Sequence, residues 1–258
     1  MGTTVKEVKN SYDFPIKLAP IQSDSILIPK KFAVIREDIK QPIGIVSDQY
    51  SLVKHSDAID CFREALKGNK FEEKVEIIKN GAQLFSTYKL TDTQVEVSKG
   101  DIVAMQLILK NSYDGSNSLQ IILGAFRLVC TNGMVVGSEF FRYSQKHITS
   151  GKPAIDVLKQ NVTALVNQFK NSLPAMQAMS KAKLTATPEK LFDAKTLEFP
   201  KYLANEASLN YKESDKNTVW TYYNALTYAI SHKMKKDSPN ARFYYLQRAW
   251  EKSVAMVK

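Results

Sequence analysis

The densest group of chemically capable side chains is Asn111-Ser112-Tyr113-Asp114-Gly115-Ser116-Asn117-Ser118, which crowds hydroxyls, amides and one carboxylate into eight positions. Oxygen-rich loops of this kind can hold a hard cation or cradle a phosphate. A calcium loop needs acidic residues recurring at alternate positions and a closing bidentate Glu, and neither is here. A phosphate-cradling loop needs several glycines, a Lys and a helix start after them. Here an apolar run, LQIILGAF (119–126), follows, and another, IVAMQLIL (102–109), precedes. Asp-Gly is a strong turn signal, because Gly accepts positive φ and Asp can bond its own backbone. The stretch therefore reads as the connection of a β-hairpin, free of metal.

The remaining reactive residues are scattered. His55, His147 and His232 lack ligand spacing. Glu72 and Glu73 are neighbours on a solvated edge. Cys130 and His147 could be drawn as a thiol–imidazole pair, but Cys130 ends an apolar strand, where an inert buried thiol is expected. Cys61 and Cys130 read as reduced core thiols of a cytoplasmic protein. The chain has no G-x-S-x-G, no G-x-x-x-x-G-K-[ST] and no G-x-G-x-x-G. No catalytic residue, metal ligand or cofactor site is assigned, which argues for a binding protein rather than an enzyme.

Charge gives the clearest global direction. The 258 residues carry a formal net charge of +10, favouring a polyanionic partner. The excess lies downstream of the strands: Glu139 to Lys183 holds seven Lys or Arg against two acidic residues, and Ala229 to Lys258 holds seven against two. Arg142 and Lys146 alternate with Phe140, Phe141 and Tyr143, a mixture suited to single-stranded nucleic acid, where bases stack on rings and cations follow the backbone. At least one of the two phenylalanines belongs to the core. Lys110 precedes the hairpin connection and Tyr113 stands at its tip. Arg127 interrupts a strand apolar on both faces; it either pairs with Asp114 or Glu139 or meets a phosphate. Lys152, Lys159 and Lys170 fall within about 20° of one another at helical spacing. The candidate nucleic-acid set is therefore Lys110, Tyr113, Arg127, Arg142, Tyr143, Lys146, Lys152, Lys159 and Lys170.

The elements that must position these residues follow from periodicity. Residues 1–24 read as an N-terminal arm. Residues 25–182 read as an α+β core: short strands at 25–29, 31–37 and 50–54, a turn at Gln41-Pro42-Ile43-Gly44, and a helix capped by Ser56 and stopped by Gly68. Strands over 73–80, 82–90, 101–111 and 118–130 then form a mainly antiparallel β-meander packed against a long helix opened by Pro153 and ended near Pro174. Residues 183–258 form a helical C-terminal region with clear helices around Val219–Ile230 and after Ser238-Pro239. No apolar run reaches membrane-spanning length.

The stretch LILKNSYDGSNSLQIILGAFRLVCTNGMVVG (107–137) resembles the signature of a large family of phage and plasmid proteins described as a domain of unknown function. The pattern N-S-x-D-G-S, an apolar strand, then R-x-V-C-x-N matches Asn111, Ser112, Asp114, Gly115, Ser116, Arg127, Val129, Cys130 and Asn132. SDQYSLVKHSDAID (47–60) and TVWTYYNALTYAISH (218–232) are similar to its early strand–helix and its late aromatic helix, so the resemblance spans residues 25 to 235. The order of elements also resembles the β-β-β-α core of single-strand annealing proteins, the Redβ, RecT and Erf recombinases and the eukaryotic Rad-fifty-two protein. That resemblance implies single-stranded DNA held in a positive groove between sheet and helix. It also implies pairing of complementary strands without ATP or cofactor, and assembly into a homo-oligomeric ring or filament in the cytoplasm of a bacterial host. The alternative is a phage or plasmid accessory protein that binds host proteins, for example to counter a defence system. A nuclease ranks last, since the carboxylate cluster is missing.

Overall fold

A computed structural model describes residues 11–127, 133–134, 142–145, 147, 155–212, 216–234 and 239–257. The fold is α+β with antiparallel sheets. Packing divides the chain into two units, one of Met1–Tyr88, Ile108–Ile122 and Arg142–Ala164, the other of Lys89–Leu107, Leu123–Phe141 and Leu165–Lys258.

In the first unit, β1 (Ile16–Ser23), β2 (Ile26–Arg36) and β3 (Gln41–Ser47) form a three-stranded antiparallel sheet in that order. The residues read from sequence as an arm therefore contain a full strand. The runs 25–29 and 31–37 are one strand, with Lys30 at positive φ between them. The Pro42–Gly44 segment predicts a turn but lies in β3, and the chain reverses just before it, with Lys40 at positive φ. Pro42 fits there because β3 is an edge strand. Residues 50–54 predict a strand and form none. Their backbone groups are spent elsewhere: Tyr50 N–H on the Ser47 carbonyl, Ser51 N–H on the His147 carbonyl, and the Val53 carbonyl on Asn111.

Helix α1 (His55–Ala65) buries Ala58, Ile59, Phe62 and Ala65. It starts one residue before the expected Ser56 cap, and no side chain caps it. The reason is His55, whose N–H donates to the Tyr113 hydroxyl at 2.7 Å and so needs no cap. Strands β4 (Phe71–Ile78), β5 (Gln83–Ser98), β6 (Asp101–Ser112), β7 (Leu119–Arg127) and β8 (Gly133–Met134) run in order across a second sheet, and β9 (Arg142–Gln145) also pairs with β7. The Asn80-Gly81 turn is a 3-10 turn, Lys79–Gly81, with positive φ throughout.

Helix α2 (Ile155–Asn171) buries Val162, Leu165 and Phe169, as its apolar stripe predicts. It gives way to α3 (Leu173–Lys181), with Pro174 in the first turn of the new helix. The second unit adds α4 (Pro188–Leu191), α5 (Ala194–Leu197), α6 (Lys201–Lys212), α7 (Val219–Lys233) and α8 (Pro239–Ala255). Helix α7 is buried nearly all round, and the Thr218 side chain caps it by accepting from Thr221 N–H. Trp220 donates to Asp101 at 2.7 Å, and Tyr223 meets Trp250 edge-on. The aromatic late helices thus spend Trp220, Tyr222, Tyr223 and Trp250 inside this unit.

Candidate functional site

The signature loop is the centre of a buried polar network in the first unit. Asn111, at the end of β6, directs its side-chain amide to the Val53 carbonyl at 2.9 Å and to His55 Nδ1 at 2.9 Å. His55 Nε2 lies 2.9 Å from the Gly81 carbonyl. An amide nitrogen can only donate and a carbonyl can only accept, so His55 accepts at Nδ1 and carries its proton on Nε2. The imidazole is fully buried and stacks on Tyr113 with ring centroids 3.9 Å apart. Burial, against the opposing pull of the Gly81 carbonyl, pushes its pKa down to about 3. A neutral ring with both nitrogens committed is not available for acid–base chemistry or for a metal. It ties the start of α1, the 3-10 turn and the hairpin into one body.

The rest of the loop closes on itself. Ser112 Oγ donates to the Asn117 carbonyl at 2.9 Å and accepts from Asn117 N–H at 3.0 Å. Asp114 accepts from Ser116 N–H at 2.9 Å, forming an Asx turn, and from Gln83 Nε2 at 2.9 Å. Lys79 approaches the same carboxylate at 3.7 Å. Burial raises the Asp114 pKa, but the Ser116 and Gln83 bonds and the Lys79 charge together outweigh it, leaving the carboxyl below its usual range. Gly115 has φ of +72°, the left-handed region that favours glycine. Tyr50 donates to the Ser112 carbonyl at 2.6 Å and stacks on His147. Each polar residue type in the motif thus has a structural partner, and no group of three His, Cys, Asp or Glu side chains able to hold a metal occurs among the described residues.

The expected nucleic-acid residues separate into three groups. Tyr113 is 1% exposed and packs with Phe14, Val34, Ile43, Val46 and Ala82. Its ring is not presented at a hairpin tip to stack on a base, because the network above holds it inward. Lys110 is 6% exposed, with its ammonium 5.4 Å from the centre of the Phe85 ring, so it faces an aromatic wall rather than an open groove. Lys170 is exposed in the last turn of α2. Arg127, Arg142, Tyr143 and Lys159 have described backbone in β7, β9 and α2, but their side chains lie outside the described set, and Lys146 and Lys152 lie outside it altogether.

Sequence reading overlooks a row of lysines within residues 183–216, a stretch that balances six Lys against six acidic residues. Lys195, Lys201 and Lys212, with Asn205 and Ser208, line a cleft of about 450 Å³ between α4, α5 and α6. The signal is present as K-x-x-x-N-x-x-S-x-x-x-K over 201–212, a helical spacing that places all four residues on one face.

An α+β chain with a structural signature hairpin and a basic helical unit is the class these features define. The chain belongs to the family described as domain of unknown function DUF932, whose model matches residues 42–251. It is similar to two proteins of Escherichia coli K12: UPF0380 protein YafZ, 34% identical over 92 residues, and UPF0380 protein YfjQ, 32% identical over 90 residues. Each match covers 31% of this chain and 33% of the relative, so the chain spans about a third of the length of these curated relatives. No solved structure matches it.

Proposed function

We propose that this protein binds single-stranded DNA and promotes pairing of complementary strands without ATP, as a recombination protein of phage or plasmid origin acting in the bacterial cytoplasm. The observation that carries the reading is the net charge of +10, concentrated downstream of the strands. Exposed Lys170, and exposed Lys195, Lys201 and Lys212 in the helical unit, support it. Lysines spread over a surface neutralise successive phosphates and favour a strand over a compact ligand. The test is annealing of complementary oligonucleotides with no nucleotide present. Acceleration at sub-saturating protein is expected; binding without acceleration would reduce the function to strand binding.

A specific feature favours the second reading, a protein partner. The end of the β1–β2 hairpin extends past β3 and exposes Ile26 and Leu27 at 72% and 59%. Adjacent exposed aliphatic side chains of this kind mark a contact surface. That partner can be a second copy of the chain, as the oligomeric annealing proteins would require, or a host protein.

A further inference from the structure

The cleft between α4, α5 and α6 lies wholly within the second unit. Around α6, Lys201, Asn205, Ser208 and Lys212 fall within an arc of about 60°, while Leu203, Ala204, Ala207 and Tyr211 form the buried face beside it. The facing wall consists of Pro188, Glu189, Phe192, Asp193, Ala194 and Lys195. Two acidic residues are present, and both are engaged. Glu189 receives Lys212 at 3.0 Å, and Asp193 caps α5 through Thr196 N–H at 2.8 Å and the Thr196 hydroxyl. Lys201 has no ion-pair or hydrogen-bond partner among the described residues. The cleft therefore offers one uncommitted ammonium in Lys201 with two neutral polar side chains along the same line, and across from them Lys195, whose charge also acts on Asp193.

The side of α6 next to this line carries Tyr202, 48% exposed, and Leu209. They lie one helical turn-step away, about 80–100° round from Lys201. A row of cations and neutral hydrogen-bonding groups beside an exposed aromatic ring matches the needs of a single strand, phosphates along the row and a base on the ring. A free anion would use the row and leave the ring idle.

We propose that this cleft is a contact site for single-stranded nucleic acid, with Lys195, Lys201, Asn205 and Ser208 on the phosphodiester and Tyr202 stacking on a base. The site rests on the strand-binding reading above and is additional to the Arg142–Lys170 segment.

The test uses fluorescence anisotropy of a labelled oligothymidylate with the full-length protein, comparing the parent with K195E/K201E, Y202A and N205K. These positions are exposed, so thermal melts are expected to match the parent. The double variant should lose at least tenfold in affinity and flatten the salt slope by about 1.4, from about 0.7 per phosphate. Y202A should weaken binding without changing that slope, and N205K should tighten it. A parent that binds while K195E/K201E, Y202A and N205K all keep parental affinity overturns the cleft and leaves strand binding intact. A parent that fails to bind overturns both. Competition by inorganic phosphate as effective as by unlabelled oligothymidylate, per phosphate, makes the cleft a simple anion pocket and overturns the assignment to nucleic acid.

Discussion

The Asn111 side-chain amide nitrogen lies 2.9 Å from His55 Nδ1, a donor to an imidazole that burial keeps neutral in the first unit. The pKa of His55 is pushed far below its ordinary value of 6.5, to about 3. Between those limits the unfolded chain binds a proton that the folded chain does not, so stability falls as pH drops from about 6.5 towards 3. Each unit of separation is worth about 1.4 kcal/mol. His147, lowered by burial, acts in the same direction, and Asp114 adds a loss at the acid end of the range as it protonates. Urea unfolding at pH 7 and pH 4.5 should show a clear loss at the lower pH. His55→Leu should be less stable at pH 7, because the Asn111 amide and the Gly81 carbonyl lose their partner, yet show a smaller loss on acidification. An equal loss in both proteins would contradict the buried neutral imidazole.

Asn111→Leu removes the donor shared by Val53 and His55. Buried groups left unpaired cost roughly 1–3 kcal/mol each, so the variant should be destabilised by about 2–4 kcal/mol in the same unfolding assay. Calcium or manganese should leave the melting temperature of the parent unchanged, since the Asp114 carboxylate is already engaged by Ser116, Gln83 and Lys79.

Two glycines separate backbone strain from crowding. Gly115 has positive φ but open space around the site of a Cβ, so Gly115→Val should cost about 1 kcal/mol or more through φ alone. A Cβ on Gly44 would sit 2.6 Å from the Tyr113 carbonyl oxygen and 2.7 Å from Asp114 Cα. Those are backbone atoms that cannot rotate away. Gly44→Ala should therefore cost roughly 1–3 kcal/mol and disturb the signature hairpin, which hydrogen exchange of its amides would register.

The β1–β2 hairpin turns through Asp24 and Ser25, both at positive φ without being glycine. Asp24→Asn with Ser25→Gly supplies the residues this turn favours and should raise stability by about 1 kcal/mol, read as a higher melting temperature. Ile26→Thr with Leu27→Ser should leave folding intact. If this apolar tip joins copies of the chain, light scattering will show the parent as an oligomer and the variant as a smaller species; a strict monomer in both would leave the tip to a different partner.

Long apolar periods carried most of the fold into the sequence: the stripe of α2, the face of α1 and the β6–β7 hairpin are all found within a few residues of their expected places. Failures came where long-range bonds override local preference. Residues 50–54 have strand-like composition, but Asn111 and His147 claim their backbone groups. Pro42 and Gly44 look like turn residues, yet one sits on a sheet edge and the other is where hairpin backbone crosses at close range. The Asp24-Ser25 turn carries no Asn-Gly signal to find. For the site, charge was legible as a sum, whereas the inward turn of Tyr113 and Lys110 depended on neighbours distant in sequence. The α6 stripe was readable at helical spacing only once Lys201–Lys212 was known to be a helix.

Salt decides whether a phosphate backbone is what the positive charge meets. Affinity for an oligothymidylate should fall steeply with salt, by about 0.7 in the log–log slope for each phosphate neutralised. Changing Lys152 and Lys159 to Glu should weaken binding and make that slope shallower while the fold persists. An affinity independent of salt, or a charge-reversed protein that binds as tightly as the parent at matched salt, would rule out strand binding through these lysines and favour a protein partner.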